Sequence, residues 1–386
     1  MMIRSPNTAH GRGQPIPPPA WRRGLTALEW VQIGSNTLSD VDPTADPAIN
    51  PNHPSTAPWA SAGQQQDITI AWSGGAWDET NKRLWIMGGG HSGYNGNEPY
   101  SINLGLNTPI WTRHGYPTGS IQRPVASCTT RKVGDTEMMQ DGRPFTTHTY
   151  NLLTVLGNGI LLQAKGGFAL DGSGTAAVEY DPTVSDWDVS TGRYTVSGPS
   201  VGVRGGVDFD PARNVCWAVA AQSISKYDVA TKVISLAYQD YTGKATYGPI
   251  KRMPDSDLFV FFGDHADGMG TGKHVFLFDP AAPSTTPVGI NATTSSWYTR
   301  GVTYDTLRKR FLAWSGGGSV DTLTPPASSP KSNAWTYGSL TTSTDVVTPS
   351  AGNTNGTYGR FQYCAAYDCC FALNVVTERL YVLPLS

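Results

Sequence analysis

Five residues of this 386-residue chain carry side chains able to move a proton or hold an anion, and each follows a strand-like run or a turn: His91, Tyr94, His148, Tyr150 and Arg204. An imidazole or a phenolate can take a proton while a second such group returns one, and a guanidinium can neutralise a carboxylate through paired hydrogen bonds. Plainer roles stand beside these. His91, in GGGHSGYNGNE, can hydrogen-bond loop backbone while Asn97 and Glu98 cap the turn. Alternation in THTY sets Thr147 and Thr149 on one face and His148 and Tyr150 on the other, which also suits a core histidine. Arg204 precedes a glycine pair and can link neighbouring sheets. Asp264, His265, Asp267 and His274 are metal-ligand types without HxH or HExxH spacing, a weak signal, and no cofactor is expected.

The elements that must position these residues follow from composition and repetition. Charged residues make up 15% of the chain, too few to coat many amphipathic helices, whereas 12 Trp, 17 Tyr and 11 Phe supply a large apolar core. Together with 43 Gly and 28 Pro this favours one large all-β unit. A net charge of −2 argues against a general nucleic-acid binder. No apolar run is long enough to cross a bilayer and the first residues lack an apolar signal segment, so synthesis in the cytoplasm without a signal peptide, and no membrane insertion, are expected. Cys128, Cys216, Cys364, Cys369 and Cys370 are odd in number and lack CxxC spacing, which predicts buried thiols rather than a disulfide framework. Residues 1–26 form a Pro/Arg-rich extended arm carrying Arg4, Arg12, Arg22 and Arg23, and residues 27–386 form the folded domain.

From about residue 70 the chain repeats. GGAWDETNKRLWIMGGG (74–90), GGVDFDPARNVCWAVAA (205–221) and GVTYDTLRKRFLAWSGGG (301–318) share small residues, an aromatic, an Asp, a short polar turn and an apolar strand. Each is a β-hairpin in which the Asp side chain starts the turn and a basic residue or Asn ends it. Weaker copies lie at 150–167, 248–264 and 360–375, and the turns centre on a spacing of roughly 50 residues. A strand and a turn follow at 99–114, 178–189, 225–236 and 274–288 and read as the outer strand of each blade. This two-part unit resembles the kelch repeat over about residues 70–386. The expected fold is all-β: a single kelch-like β-propeller of six four-stranded blades, or seven if residues 91–147 or 28–33 supply another. Radial stacking covers both faces of each blade, and glycines at 74–75, 88–90, 166–167, 205–206 and 316–318 permit close approach near the axis. The last strand, 380–385, is expected in the same blade as 360–375.

A sharper resemblance lies in WSGGAWDETNKRLWIMGGGHSGYNGNEPYSINL with the later GRPFTTHTYNLL. These runs resemble kelch-like propellers of bacteria and phages and, more distantly, the ulvan lyase propellers. Such lyases use His, Tyr and Arg in a central cleft to remove the proton α to a uronate carboxylate and expel the 4-linked sugar. The resemblance implies acid and base roles for His91, Tyr94, His148 and Tyr150 and carboxylate neutralisation by Arg204, although the histidines here are spaced more widely than in that family. Two functions compete. The favoured one is a binding or structural propeller, a bacteriophage virion component of tail or appendage, whose arm docks on other structural subunits and whose aromatic face binds carbohydrate or protein. The alternative is a polysaccharide lyase or other glycan-degrading enzyme acting on uronate-containing polysaccharide. A copper oxidase like galactose oxidase is disfavoured because the flanking domains and a cysteine-tyrosine copper pair are missing.

Overall fold

The first hairpin shows how the sequence builds the inner turns of blades 1, 3 and 5. Asp78 Oδ1 accepts hydrogen bonds from the amides of Thr80 (3.0 Å) and Asn81 (2.9 Å), and Lys82 closes the turn with φ +54°. Asp210 repeats this with Ala212 and Arg213 and closes on Asn214, φ +52°; Asp305 bonds the Arg308 amide and closes on Lys309, φ +54°. The turn chemistry expected from the repeats is therefore present: a carboxylate holds the first amides, and a long or amide side chain takes the left-handed residue.

The computed structural model describes residues 17–46, 48, 65–89, 94–123, 130–133, 136–166, 175–187, 205–220, 223–239, 248–263, 275–288 and 297–386. They form six four-stranded antiparallel sheets. Blade 1 runs Gly74–Asp78, Arg83–Met87, Tyr100–Asn103 and Trp111–Arg113, and blade 2 runs Leu153–Val155, Leu161–Gly166, Thr175–Asp181 and Asp186–Trp187. Blade 3 comprises Gly205–Asp210, Val215–Ala220, Ser223–Asp228 and Val233–Gln239; blade 4 comprises Ile250–Met253, Leu258–Phe262, Val275–Asp279 and Ser284–Pro287. Blade 5 is built from Gly301–Asp305, Arg310–Trp314, Val320–Thr324 and Thr336–Leu340. Blade 6 joins both ends of the chain: Phe361–Cys364, Cys369–Ala372 and Leu380–Pro384, then Val31–Ile33 as its outer strand. The first strand of each blade is innermost and meets the inner strands on either side, so the ring closes. Residues 31–33 thus complete a sixth blade instead of starting a seventh. Within 91–147 the described residues form the outer half of blade 1 and a separate two-stranded hairpin, Thr130–Val133 with Thr136–Met139.

Core side chains fill the spaces between blades, and Trp30, Trp85, Trp111, Trp297, Trp314 and Trp335 are all fully buried. Close approach at the axis depends on glycine. A β-carbon on Gly74 would fall on the Tyr150 carbonyl oxygen, one on Gly206 would lie 2.6 Å from the Ile250 amide, and one on Gly301 would lie 2.7 Å from the Tyr358 carbonyl. Gly88 and Gly316 serve differently, taking φ +132° and +134° on connections leaving the second strand.

The described part of the arm, residues 17–26, rests on the chain's own propeller. Trp21 donates through Nε1 to Leu104 O (3.0 Å) and packs edge-on against Tyr367 and Phe371, while Arg22 Nε donates to Tyr367 O (2.7 Å) and Nη2 to Ser386 O (2.9 Å). These contacts strap blade 1 to blade 6.

Between blades 1 and 2, His114 lies over the Trp85 ring (centroids 4.6 Å apart) with Nε2 2.7 Å from Ser101 Oγ. Burial, helped by the nearby Arg83, pushes its pKa down to about 4 from 6.5. Below pH 6.5 the unfolded chain takes a proton here that the folded chain refuses, so stability falls as pH drops from 6.5 toward 4. His114→Gln is expected to shrink the difference between urea midpoints at pH 7 and pH 4.5; an unchanged difference would remove His114 from this role.

Candidate functional site

The inner strands end together at the turn side of the ring. Two residues before those ends stand Ala76, Asp208, Lys251, Thr303 and Gln362, joined from blade 2 by Leu153 and Thr154. They line a cavity of about 460 Å³ to which all six inner strands contribute, rimmed by Trp77, Phe209, Tyr304 and Tyr363.

Several of these side chains first serve the ring. Asp208 Oδ2 accepts the Arg252 amide (2.7 Å) and Oδ1 its own neighbour's, Phe209 (3.1 Å). Thr303 Oγ1 accepts the Tyr363 amide (3.1 Å). In both cases a side chain on one inner strand caps an inner-edge N–H of the next blade, which would otherwise face the channel unpaired. Burial raises the Asp208 pKa, and Lys251 opposes that shift. Among the described residues no carboxylate lies within ion-pair distance of Lys251, whereas Arg252 shares Asp257 at 3.8 Å. The Gln362 amide donates to Gly359 O (2.7 Å), leaving its oxygen to accept. On the rim Trp77 Nε1 donates to Glu79 (2.5 Å) and Tyr363 OH to Asp368 (2.9 Å). The mouth therefore offers an ammonium, threonine hydroxyls, an amide oxygen and the half-buried Trp77 and Phe209. Two carboxylates line it among the described residues: Glu79, which accepts from Trp77, and Asp208, which is held by backbone amides.

Of the residues singled out from the sequence, the three that are described, Tyr94, His148 and Tyr150, lie elsewhere. His148 stands on the connection into blade 2, with its ring 4.7 Å from Trp72 and 5.9 Å from Tyr150, which in turn meets Tyr358 at 5.5 Å. Trp72, Tyr150 and Tyr358 each precede an inner strand with φ +52°, +43° and +48°, so three connections hold an aromatic residue in the left-handed region. His148 and Tyr150 are 5% and 2% exposed. Tyr94 belongs to a different core, between blades 1 and 6, where its hydroxyl and that of Tyr100 donate to the buried Glu98. Burial beside that carboxylate holds both phenols well above their usual range and raises Glu98 as well. Asn97 ties this loop inward, donating to Thr118 Oγ1 and Pro144 O (both 2.9 Å). His91 and Arg204 lie outside the described residues, as do Asp264, His265, Asp267 and His274. The structure thus brings His148 and Tyr150 together and places Tyr94 in another core. Sequence reasoning missed the mouth residues, whose signal was a polar column two residues before the turn in aligned hairpins: Asp208 and Thr303, with Ala76 in the first copy.

No protein-family model matches the chain and no curated protein matches it in sequence. Among solved structures it is similar to a gluconolactonase from Xanthomonas campestris, with 12% identity over 94% of this chain and 99% of that one and a TM-score of 0.45. It is also similar to the hydrazine synthase of Kuenenia stuttgartiensis, with 9% identity, 84% and 97% coverage and a TM-score of 0.47. YjhT gives 11% identity, 80% and 92% coverage and a TM-score of 0.44.

Proposed function

We propose that this propeller is a binding protein that takes a saccharide into the turn-side mouth of its ring. The observation that carries the reading is the chemistry of that mouth: inner-edge amides of blades 4 and 6 are already capped by Asp208 and Thr303, while Thr154, Thr303, Gln362 and Lys251 line the cavity. An extended peptide would need free strand-edge amides to pair with. A sugar needs scattered hydroxyl, amide and aromatic partners in a concave site. Lys251 and Arg252 on one side favour a sugar bearing an acidic group. Lyase chemistry has less support, because the His148 and Tyr150 rings are buried against other aromatics. The composition of residues 1–16 supports their role as an attachment to a virion or other assembly.

Calorimetric titration with neutral and uronate-containing oligosaccharides tests the reading. Thr303→Val and Gln362→Leu are each expected to raise Kd about tenfold, the worth of one well-made hydrogen bond of about 1.4 kcal/mol. The sugar should be recovered intact. Growth of the ultraviolet absorbance of an unsaturated uronate would favour the lyase instead.

A further inference from the structure

Blade 6 carries an arrangement of cysteines that its role in ring closure does not need. Cys364 ends the inner strand and Cys369 begins the next, and the two are directly opposite in the antiparallel register. Both side chains enter the same apolar cluster, with Phe371 and Leu380, whereas Cys370 faces the other side among Trp30, Trp314 and Leu383. Opposed residues in antiparallel strands have α-carbons about 4.5 or 5.5 Å apart, and both spacings fall within the roughly 4.4–6.8 Å that a disulfide spans. Cys216 lies in blade 3, within another cluster.

We propose that Cys364 and Cys369 are a disulfide site, joined when the chain folds in the presence of a small disulfide oxidant. With oxidised glutathione the step balances: one thiolate attacks the glutathione disulfide and releases one glutathione, and the second cysteine displaces the other. Two thiols lose two electrons and two protons, and two glutathione thiols form. The moment is folding, because burial in the finished blade raises both thiols to about 12 and leaves little thiolate to react.

The bond would pin a turn on which several parts of the molecule converge. Arg22 donates to Tyr367 O, Arg308 pairs with both oxygens of Asp368 at 2.7 Å, Tyr363 donates to Asp368, and the Leu385 amide donates to Asp368 O (2.8 Å). Arm, C-terminus and blade 5 are all held by the loop that the disulfide would close.

The full chain, unfolded in urea and refolded with oxidised and reduced glutathione, is labelled under denaturing conditions with N-ethylmaleimide and digested with trypsin. Cleavage after Arg360 and Arg379 isolates residues 361–379, which hold all three cysteines of the blade. The expected peptide carries one label, on Cys370, and is lighter by two hydrogens than the doubly reduced form. The oxidised protein should melt about 2–5 °C higher than the reduced protein. Cys370→Ala should keep the link and Cys369→Ala should lose it; the wild-type map stands alone if a variant fails to fold. Three labels, a label on Cys364 with Cys369 joined to Cys370, glutathione adducts in place of the link, or a link to Cys216 would each overturn the proposal.

Discussion

Gly74→Val should cost this protein about 3 kcal/mol or more of stability, and much of it should unfold on mild heating. The new β-carbon would fall on the Tyr150 carbonyl oxygen, which is backbone and cannot turn aside. Tyr150 is itself fixed, since its amide donates to Trp72 O (2.7 Å) and it holds φ +43°. Relief therefore needs blades 1 and 2 to separate, which loosens the packing of both. Gly301→Val should behave alike, for its β-carbon would crowd the Tyr358 carbonyl and Phe361. Gly105→Ala is the control: its nearest neighbour is the Asn103 side-chain oxygen at 3.2 Å, on the surface, and the change should cost less than about 0.5 kcal/mol. Urea unfolding of the three variants checks the ranking. Equal midpoints for Gly74→Val and Gly105→Ala would mean that the inner strands are not packed backbone to backbone.

Arg360→Ala is expected to cost about 3–5 kcal/mol, far more than loss of an exposed arginine. Arg360 is fully buried, and its guanidinium donates to three backbone carbonyls: Leu373 (3.0 Å) in its own blade, Gly356 (2.8 Å) on the incoming connection, and Ser73 at the start of blade 1. Among the described residues no carboxylate pairs with it, and burial lowers its pKa to about 9. Three buried carbonyls would lose their donor and a cavity would open on the seam where the last blade meets the first. Lysine should not rescue the loss, because a single ammonium cannot reach all three oxygens in the planar geometry they are set for. Arg308→Ala offers the comparison: a partly exposed residue shared by Asp305 and Asp368, its removal should cost about 1 kcal/mol. If Arg360→Ala and Arg308→Ala unfold at the same urea concentration, Arg360 is not the bolt of the seam.

The fold was legible because hairpin chemistry is local. Asp78, Asp210 and Asp305 announce their turns within five residues, and the apolar strands that follow Asp78 and Asp305 share one burial pattern. Even the last strand could be placed, since only a short connection separates 380–384 from its partner. Residues 28–33 were harder: their partner, Leu380–Pro384, lies at the other end of the chain, and no local pattern encodes a pairing across that distance. The site was less legible for a related reason. Histidines and tyrosines attract notice by type, but alternation fixes only which face of its own strand a residue occupies. Whether that face meets a channel or another blade depends on neighbours, and here His148 meets Trp72 and Tyr94 meets Glu98. Asp208, Lys251, Thr303 and Gln362 are ordinary polar residues in separate repeats, and only closure of the ring gathers them around one cavity.

The most direct test of saccharide binding at the mouth is a crystal structure of the protein soaked with the oligosaccharide that binds most tightly in titration. The account predicts sugar density inside the cavity bounded by Lys251, Thr303 and Gln362, with an acidic group toward Lys251 and a ring face against the Trp77 or Phe209 side. Density at the other end of the ring, against Trp72 and His148, or on the outer strands with the mouth empty, would contradict it.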